Sequence, residues 1–383
     1  MEMYKVSQST GKMQVWSATS VGDLVITRFG QLGGKMQESS YNAEPKNLGR
    51  SNETTGPEQA RVEVENLYTD RHTNKHYRIS QEEAQAMADE CKIPRKIHNY
   101  KDHGHKMSDR QYSTRKVNGS RACIIEGKLY SKIGKLEEIK VAHIEEAIGM
   151  LGHDALMDTE VYHHGMSLQR IRAAWTKPVR SAKELGKLDT NPAEDALKLE
   201  LHVFDIPVVG MKYEDRIDKM TYLEGKVYDL GLEGIIKFIY PDITTSDEER
   251  IELRDNYVGA GYEGIVNYEF NDMYEFGKRS YTCQKDKPRY DSEAFVTGVE
   301  PCKNGDGKLL LRACDALNNV KFKCMMKVSR RDGIDYPRKV VDMEKLVGQW
   351  VTFSYEELSD KGVCTKPVGE CVRKCNDAGE PLE

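Results

Sequence analysis

The pattern of this chain changes at Lys287-Pro288, and that change limits what it can fold into more than any other feature. From about 95 to 290, strand-like runs (121–126, 155–162, 199–205, 263–268) alternate with helical ones (137–150, 167–175, 213–222, 246–257). Beyond Pro288 only short strands follow, at 294–299, 308–313, 320–327 and 350–356. Asn304-Gly-Asp-Gly307 reads as the hairpin turn between the first two. The spacing predicts an α+β chain: a mixed α/β core followed by about 90 residues of all-β structure.

The first ~80 residues read as a smaller α+β unit. A strand at 23–29, a turn at Gly33-Gly34 and a returning strand at 35–41 come first. A helix then opens with Pro57 in its first turn and carries Ala60, Val64, Leu67 and Tyr68 on one face. Ser80-Gln-Glu-Glu83 is a capping box for a second, short helix that must stop before Pro94. The 383 residues thus divide into 1–80, 81–290 and 291–383.

Composition narrows the class. No apolar run reaches the ~20 residues a membrane helix needs, and MEMYKVSQST lacks a basic-then-apolar export signal. Nine scattered cysteines fit reduced thiols in a cytoplasm better than a disulfide frame. The net charge of −5 does not advertise a nucleic-acid binder, but residues 91–140 hold thirteen Lys and Arg against five acids. A basic surface there would hold a phosphate backbone.

That basic stretch surrounds Ser113-Thr-Arg-Lys-Val-Asn-Gly-Ser-Arg121. A lysine amine attacks an α-phosphate once it sheds its proton, and cationic neighbours such as Arg115 and Arg121 favour that loss. Gly119, with no Cβ, lets the backbone approach a phosphate or sugar closely.

The string resembles the K-x-D/N-G-x-R motif of the nucleotidyltransferases that form a lysyl-AMP or lysyl-GMP: DNA ligases, RNA ligases and capping enzymes. Further elements follow in the order of that family. Leu129–Lys135 resembles its strand-turn with basic phosphate-facing groups. Ala155-Leu-Met-Asp-Thr-Glu160 resembles the strand ending in a glutamate beneath the ribose. Leu201-His-Val-Phe204-Asp-Ile resembles the strand whose aromatic stacks on the purine. Tyr262-Glu263-Gly-Ile-Val266 resembles the motif whose glutamate helps hold a divalent metal, and Lys285-Asp-Lys287 the lysine pair gripping the α-phosphate. The late strands 351–363 and 365–374 resemble the OB barrel of small viral and bacterial ATP-dependent DNA ligases, where an arginine near the end closes over the ATP pyrophosphate; Arg373 is its counterpart. Thr27–Gln37, with Lys46-Asn47 and Glu58-Gln-Ala60, resembles the WGR DNA-binding module, although Phe29-Gly-Gln31 stands where that module has Trp-Gly-Arg.

The resemblance implies an ATP-grasp-like nucleotidyltransferase core with mixed and antiparallel sheets, a C-terminal OB barrel and a small WGR-like front domain. It implies an ATP-dependent DNA ligase of repair, replication or recombination, a cytoplasmic monomer (host cytoplasm if viral) that seals nicked duplex DNA with ATP and Mg²⁺. Lys116 would be the nucleophile, with Arg121, Lys285 and Lys287 supplying positive charge. Thr114, Arg121, Glu160, Phe204, Lys285, Lys287 and Arg373 would hold the nucleotide, and Glu263 with Glu160 the metal. Asn118 replaces the commoner aspartate, and Asn267-Tyr268 stand where the family usually has a basic residue, for which Lys278 or Arg279 is the candidate substitute. An RNA ligase, a capping guanylyltransferase and a non-catalytic ligase-like nucleic-acid-binding protein are the alternatives.

Overall fold

The computed structural model describes residues 1–7, 10–90, 92–302, 306–327, 339–359 and 361–382. Two compact units emerge: Met3–Val15 with Asp70–Lys287, and Met1–Glu2, Trp16–Thr69 with Pro288–Glu383. One boundary therefore falls between Lys287 and Pro288, where the sequence pattern changes.

The N-terminal sheet runs β1 (Glu2–Val6), β2 (Met13–Val21), β3 (Leu24–Gln31), β4 (Met36–Asn42), in that order. β3 and β4 are the two strands expected from sequence. β1 and β2 are additions to that expectation: Val15 and Trp16 are both buried, so β2 lacks the alternation that marks a one-sided strand. The helix Gly56–Lys75 carries Pro57 in its first turn and buries Ala60 with Val25 and Ala43.

The larger unit is built on two sheets. Its strands are β5 (Lys96–Asn99), β6 (Gln111–Lys116), β7 (Ser120–Ile125), β8 (Lys128–Tyr130), β9 (Leu136–Glu137), β10 (Met157–Tyr162) and β11 (Glu200–Asp205). They continue with β12 (Ile236–Phe238), β13 (Asp242–Thr244), β14 (Gly264–Tyr268) and β15 (Arg279–Asp286). Six of them pair as β12-β11-β10-β7-β8-β9, and five as β13-β6-β14-β15-β5.

Period-two alternation gives the six-stranded sheet two unlike faces. Ala122, Ile124, Met157, Val161, Leu201 and Val203 share one core with Ile144 and Ile148, Ile171 and Ala174, and Met220 and Leu223 of three helices. Each fully buried Val, Leu, Ile or Met side chain there stabilises the fold by about 1.5–3 kcal/mol. Arg121, Asp158, Glu160 and Phe204 take the intervening positions, so polar chemistry is left on the other face.

After Pro288 come β16 (Tyr290–Pro301), β17 (Gly307–Ala313), β18 (Lys321–Met326), β19 (Trp350–Tyr355) and β20 (Val368–Arg373). They close a barrel in the order β16-β17-β18-β20-β19, with β18 and β20 parallel. Val296, Leu309, Leu311, Val351 and Phe353 fill it. β16 and β17 pair as the hairpin expected, while its Asn304-Gly305 tip lies outside the described residues. The α+β class, mixed sheets and barrel agree with the sequence reading.

Candidate active site

The strand ladder of the five-stranded sheet places the first group. Lys116, the last residue of β6, pairs with Gly264, and Ile265 pairs with Asp286, so Lys287 stands on the far side of the same glycine. A Cβ at Gly264 would lie 2.3 Å from the Asp286 carbonyl oxygen, and its φ of 144° is one that glycine tolerates best. Glu263 joins the two amines: its carboxylate lies 2.6 Å from Lys116 Nζ and 2.8 Å from Lys287 Nζ. Its backbone N–H also donates to the Lys116 carbonyl at 2.8 Å. Burial pushes this carboxyl up, but the charges and hydrogen bonds of Lys116 and Lys287 outweigh it and hold it at about 2.

Two residues along β6, Thr114 pairs with Val266 and Val266 with Lys285, so these three share a face with Lys116 and Lys287. The polar face of the six-stranded sheet supplies the opposite wall. Together they enclose a cavity of about 150 Å³ whose lining includes Thr114, Lys116, Arg121, Glu160, Phe204 and Val266. Five of the residues expected to bind nucleotide or catalyse thus meet at one cavity, although they come from four different strands. Lys285, Lys287, Glu263 and Arg373 are not among its lining residues; Arg373 ends β20 across from Trp350 and is exposed.

Glu160 is pushed up to about 7, first by burial and then by Glu263 and Asp158, against the pull of Lys116 and Arg121. The folded protein therefore binds this proton more tightly than the unfolded chain does. The stability this adds is complete below about pH 4.5 and is lost as pH rises to about 7. Glu263 has the opposite sign: its contribution is present above about 4.5 and lost as pH falls toward about 2. Glu160→Gln is expected to gain stability relative to the parent chain as pH rises between about 4.5 and 7, read from urea midpoints at several pH values. A pH-independent difference would remove the assigned titration.

Gly119 acts differently from the sequence expectation. A Cβ there would lie 2.2 Å from the Val161 carbonyl oxygen and 2.7 Å from Glu160 Cγ, so the close approach it permits is to β10 itself. Gly119→Ala is expected to destabilise by about 1–3 kcal/mol, as overpacking does, measured by denaturant unfolding. An unchanged midpoint would show that β10 yields without cost.

Arg121 is not a bare cation. Its guanidinium donates to both oxygens of Asp158, one at 2.9 Å, and to the Arg95 carbonyl at 2.8 Å, and it lies 5.4 Å from the Phe204 ring centre. Tyr274 donates to Asp158 at 2.6 Å. Beneath this pair is a buried ionic network that sequence reasoning missed. Arg95 meets Asp272 at 2.5 and 2.7 Å, and Arg216 bridges Asp205 at 2.6 Å and Asp272 at 2.8 Å. Thr282 donates to Asp272 at 2.6 Å. All four charged side chains are at most 3% exposed. Of the two cations offered for the basic position after Val266, Lys278 pairs with Glu275 at 2.7 Å and Arg279 stands opposite Lys96.

Among the described residues no three His, Cys, Asp or Glu side chains converge as metal ligands. Glu160 and Glu263 supply two carboxylates, the number with which Mg²⁺ is commonly held when substrate phosphates complete its shell.

A lysine, its partner carboxylate and a second lysine thus stand beside a cavity between two sheets, in a chain that also carries a closed five-stranded barrel. No protein-family model matches the chain. A DNA ligase of African swine fever virus (isolate Tick/South Africa/Pretoriuskop Pr4/1996) is 25% identical over 374 residues, covering 90% of this chain and 83% of the relative. The DNA ligase of the Vero-adapted Badajoz 1971 strain is 25% identical over 378 residues, with the same coverage of 90% and 83%. Among solved structures, one from a structure–function analysis of Lig E DNA ligases has a TM-score of 0.57 at 19% identity, covering 73% of this chain and 98% of its own. Another, Pmar-Lig_Pre, has a TM-score of 0.59 at 20% identity, covering 78% and 73%. The structural likenesses show the fold, and the viral relatives extend along most of the chain. Both viral relatives are DNA ligases.

Proposed function

We propose that this chain seals nicks in duplex DNA at the expense of ATP, through a lysyl-AMP intermediate. The observation that carries the reading is the Lys116–Glu263–Lys287 bridge across Gly264, beside the cavity lined by Thr114, Glu160 and Phe204. Lys116 leaves Glu263, sheds its proton and attacks the α-phosphate in line. The new N–P bond forms as pyrophosphate departs. AMP then passes to the 5′-phosphate at the nick, and the 3′-hydroxyl attacks that phosphate and expels AMP. Positioning and charge neutralisation are the protein's main tasks in such transfers.

Lys287 and Lys285 hold the α-phosphate, and Arg121, kept in place by Asp158, faces the sugar end of the cavity with Glu160. Phe204 stacks on adenine, where base–aromatic contact is worth ~1–3 kcal/mol. Glu263 and Glu160 hold Mg²⁺, which when bound spreads the phosphate charge and favours the neutral amine. Arg373 serves the pyrophosphate. In this reading residues 1–80 form a DNA-contacting front domain, 81–290 the adenylation domain and 291–383 the OB domain of a monomer acting in the cytoplasm.

The test is to offer labelled ATP, GTP and NAD side by side with Mg²⁺, then to supply nicked duplex DNA and single-stranded RNA ends. Transfer of label from ATP alone, and closure of the DNA nick, is the expected result. Labelling from GTP would make the chain a guanylyltransferase, and sealing of RNA ends alone an RNA ligase.

A further inference from the structure

The basic run at 91–140 is only partly absorbed by the cavity. Along β5, Ile97 lines the cavity, so by alternation His98 stands on the opposite face of the five-stranded sheet. There the His98 ring lies flat against Tyr281, 4.3 Å between centres and 3° between planes. His103 meets both edge-on, 4.4 Å from His98 and 5.2 Å from Tyr281. Lys106 Nζ lies 3.5 Å from the Tyr281 ring centre. Gln284 fixes the arrangement by donating to the carbonyls of His103 at 3.0 Å and Tyr281 at 2.7 Å. Lys106 and His105 are exposed, and Tyr281 is 42% exposed, so the stack faces solvent.

The positive charges of Arg279 and Lys106 act on His98, and Asp102, the carboxylate that acts on it in the opposite sense, accepts from Asn99 at 3.0 Å. Burial first, and these cations next, push the His98 imidazole below its ordinary range. An anion set among these groups would relieve their mutual repulsion. The rings form a rigid floor, and the cation over Tyr281 is held by its π face. Cations carried on separate segments suit the repeated phosphates of a polynucleotide, which are contacted without reading bases.

We propose that the His98–Tyr281–His103–Lys106 stack, on the face of the sheet away from the nucleotide cavity, is a second nucleic-acid contact that takes backbone phosphates of duplex DNA. It deepens the ligase reading, on which it rests, by giving the enzyme a grip outside the reaction cleft.

The experiment compares the full chain with Lys106→Ala/His103→Ala for binding of a nicked duplex across a salt series. AMP-adduct formation serves as the control, because neither residue touches the cavity. The log–log salt slope of the variant is expected to be shallower by about one for each phosphate it no longer holds, with the adduct unchanged. Histidine ring signals of the parent chain should shift with DNA and not with the same concentration of inorganic phosphate. An unchanged slope, or ring shifts produced equally by inorganic phosphate, would overturn the proposal. Failure of the parent chain to take AMP would instead sink the ligase reading, so the two failures are separate.

Discussion

Lys116→Ala is expected to abolish the covalent AMP adduct entirely, with label from α-labelled ATP no longer retained on the denatured chain. Its amine ends β6 on the rung of Gly264, on the face that lines the cavity. The nearest amine that could substitute, Lys287, lies across that glycine and is hydrogen-bonded to Glu263 at 2.8 Å. Covalent catalysis tolerates no removal of its nucleophile, unlike a binding group whose removal costs only a factor. Arg28→Ala serves as control: its exposed guanidinium pairs with Glu38 at 2.8 Å on the N-terminal sheet, and its loss should leave the adduct intact. An alanine variant at 116 that still acquires AMP would reassign the nucleophile.

The second large effect falls on stability. Asp272→Ala is expected to cost about 3–5 kcal/mol, because it leaves buried cations without their partner. Asp272 lies under both Arg95 and Arg216, and its carboxyl, pushed up by burial, is nonetheless held below the usual range by Arg95 first. At about 2–4 °C per kcal/mol for a unit of this size, the thermal midpoint should fall by roughly 6–20 °C. Thr282→Val removes only one hydrogen bond to the same carboxylate and should cost about 1 kcal/mol. Equal small losses from both would show that Arg95 and Arg216 are satisfied by Asp205 and backbone carbonyls alone.

How much of the fold and site is legible in the sequence follows from where each signal resides. Lys116, Glu263 and Lys287 can be read because their order and neighbours carry the pattern, and their bridge follows from the register of β6, β14 and β15. The wall holding Glu160 and Phe204 is legible as strands, and its polar face as the positions between Met157, Thr159 and Val161. What stays hidden is pairwise. Arg95 and Asp272 are 177 positions apart, and nothing local to either announces the other. Arg121 reads as a free charge because Asp158, although only two residues from Glu160, becomes its partner only through the pairing of β7 with β10. The partner of Gly119 is hidden for the same reason: a missing Cβ shows that something comes near, and only the fold shows that it is β10.

The Lys116–Gly264–Lys287 rung has a consequence for how such a chain can change. Two lysines placed on either side of β14, one ending β6 and one just past β15, keep a backbone separation dictated by main-chain pairing. A single residue gained or lost within β14 would turn one of its neighbours toward the opposite surface and part the pair, with every side chain of the site still present. Strand length therefore constrains this site as strictly as residue identity does, through a count of peptide bonds.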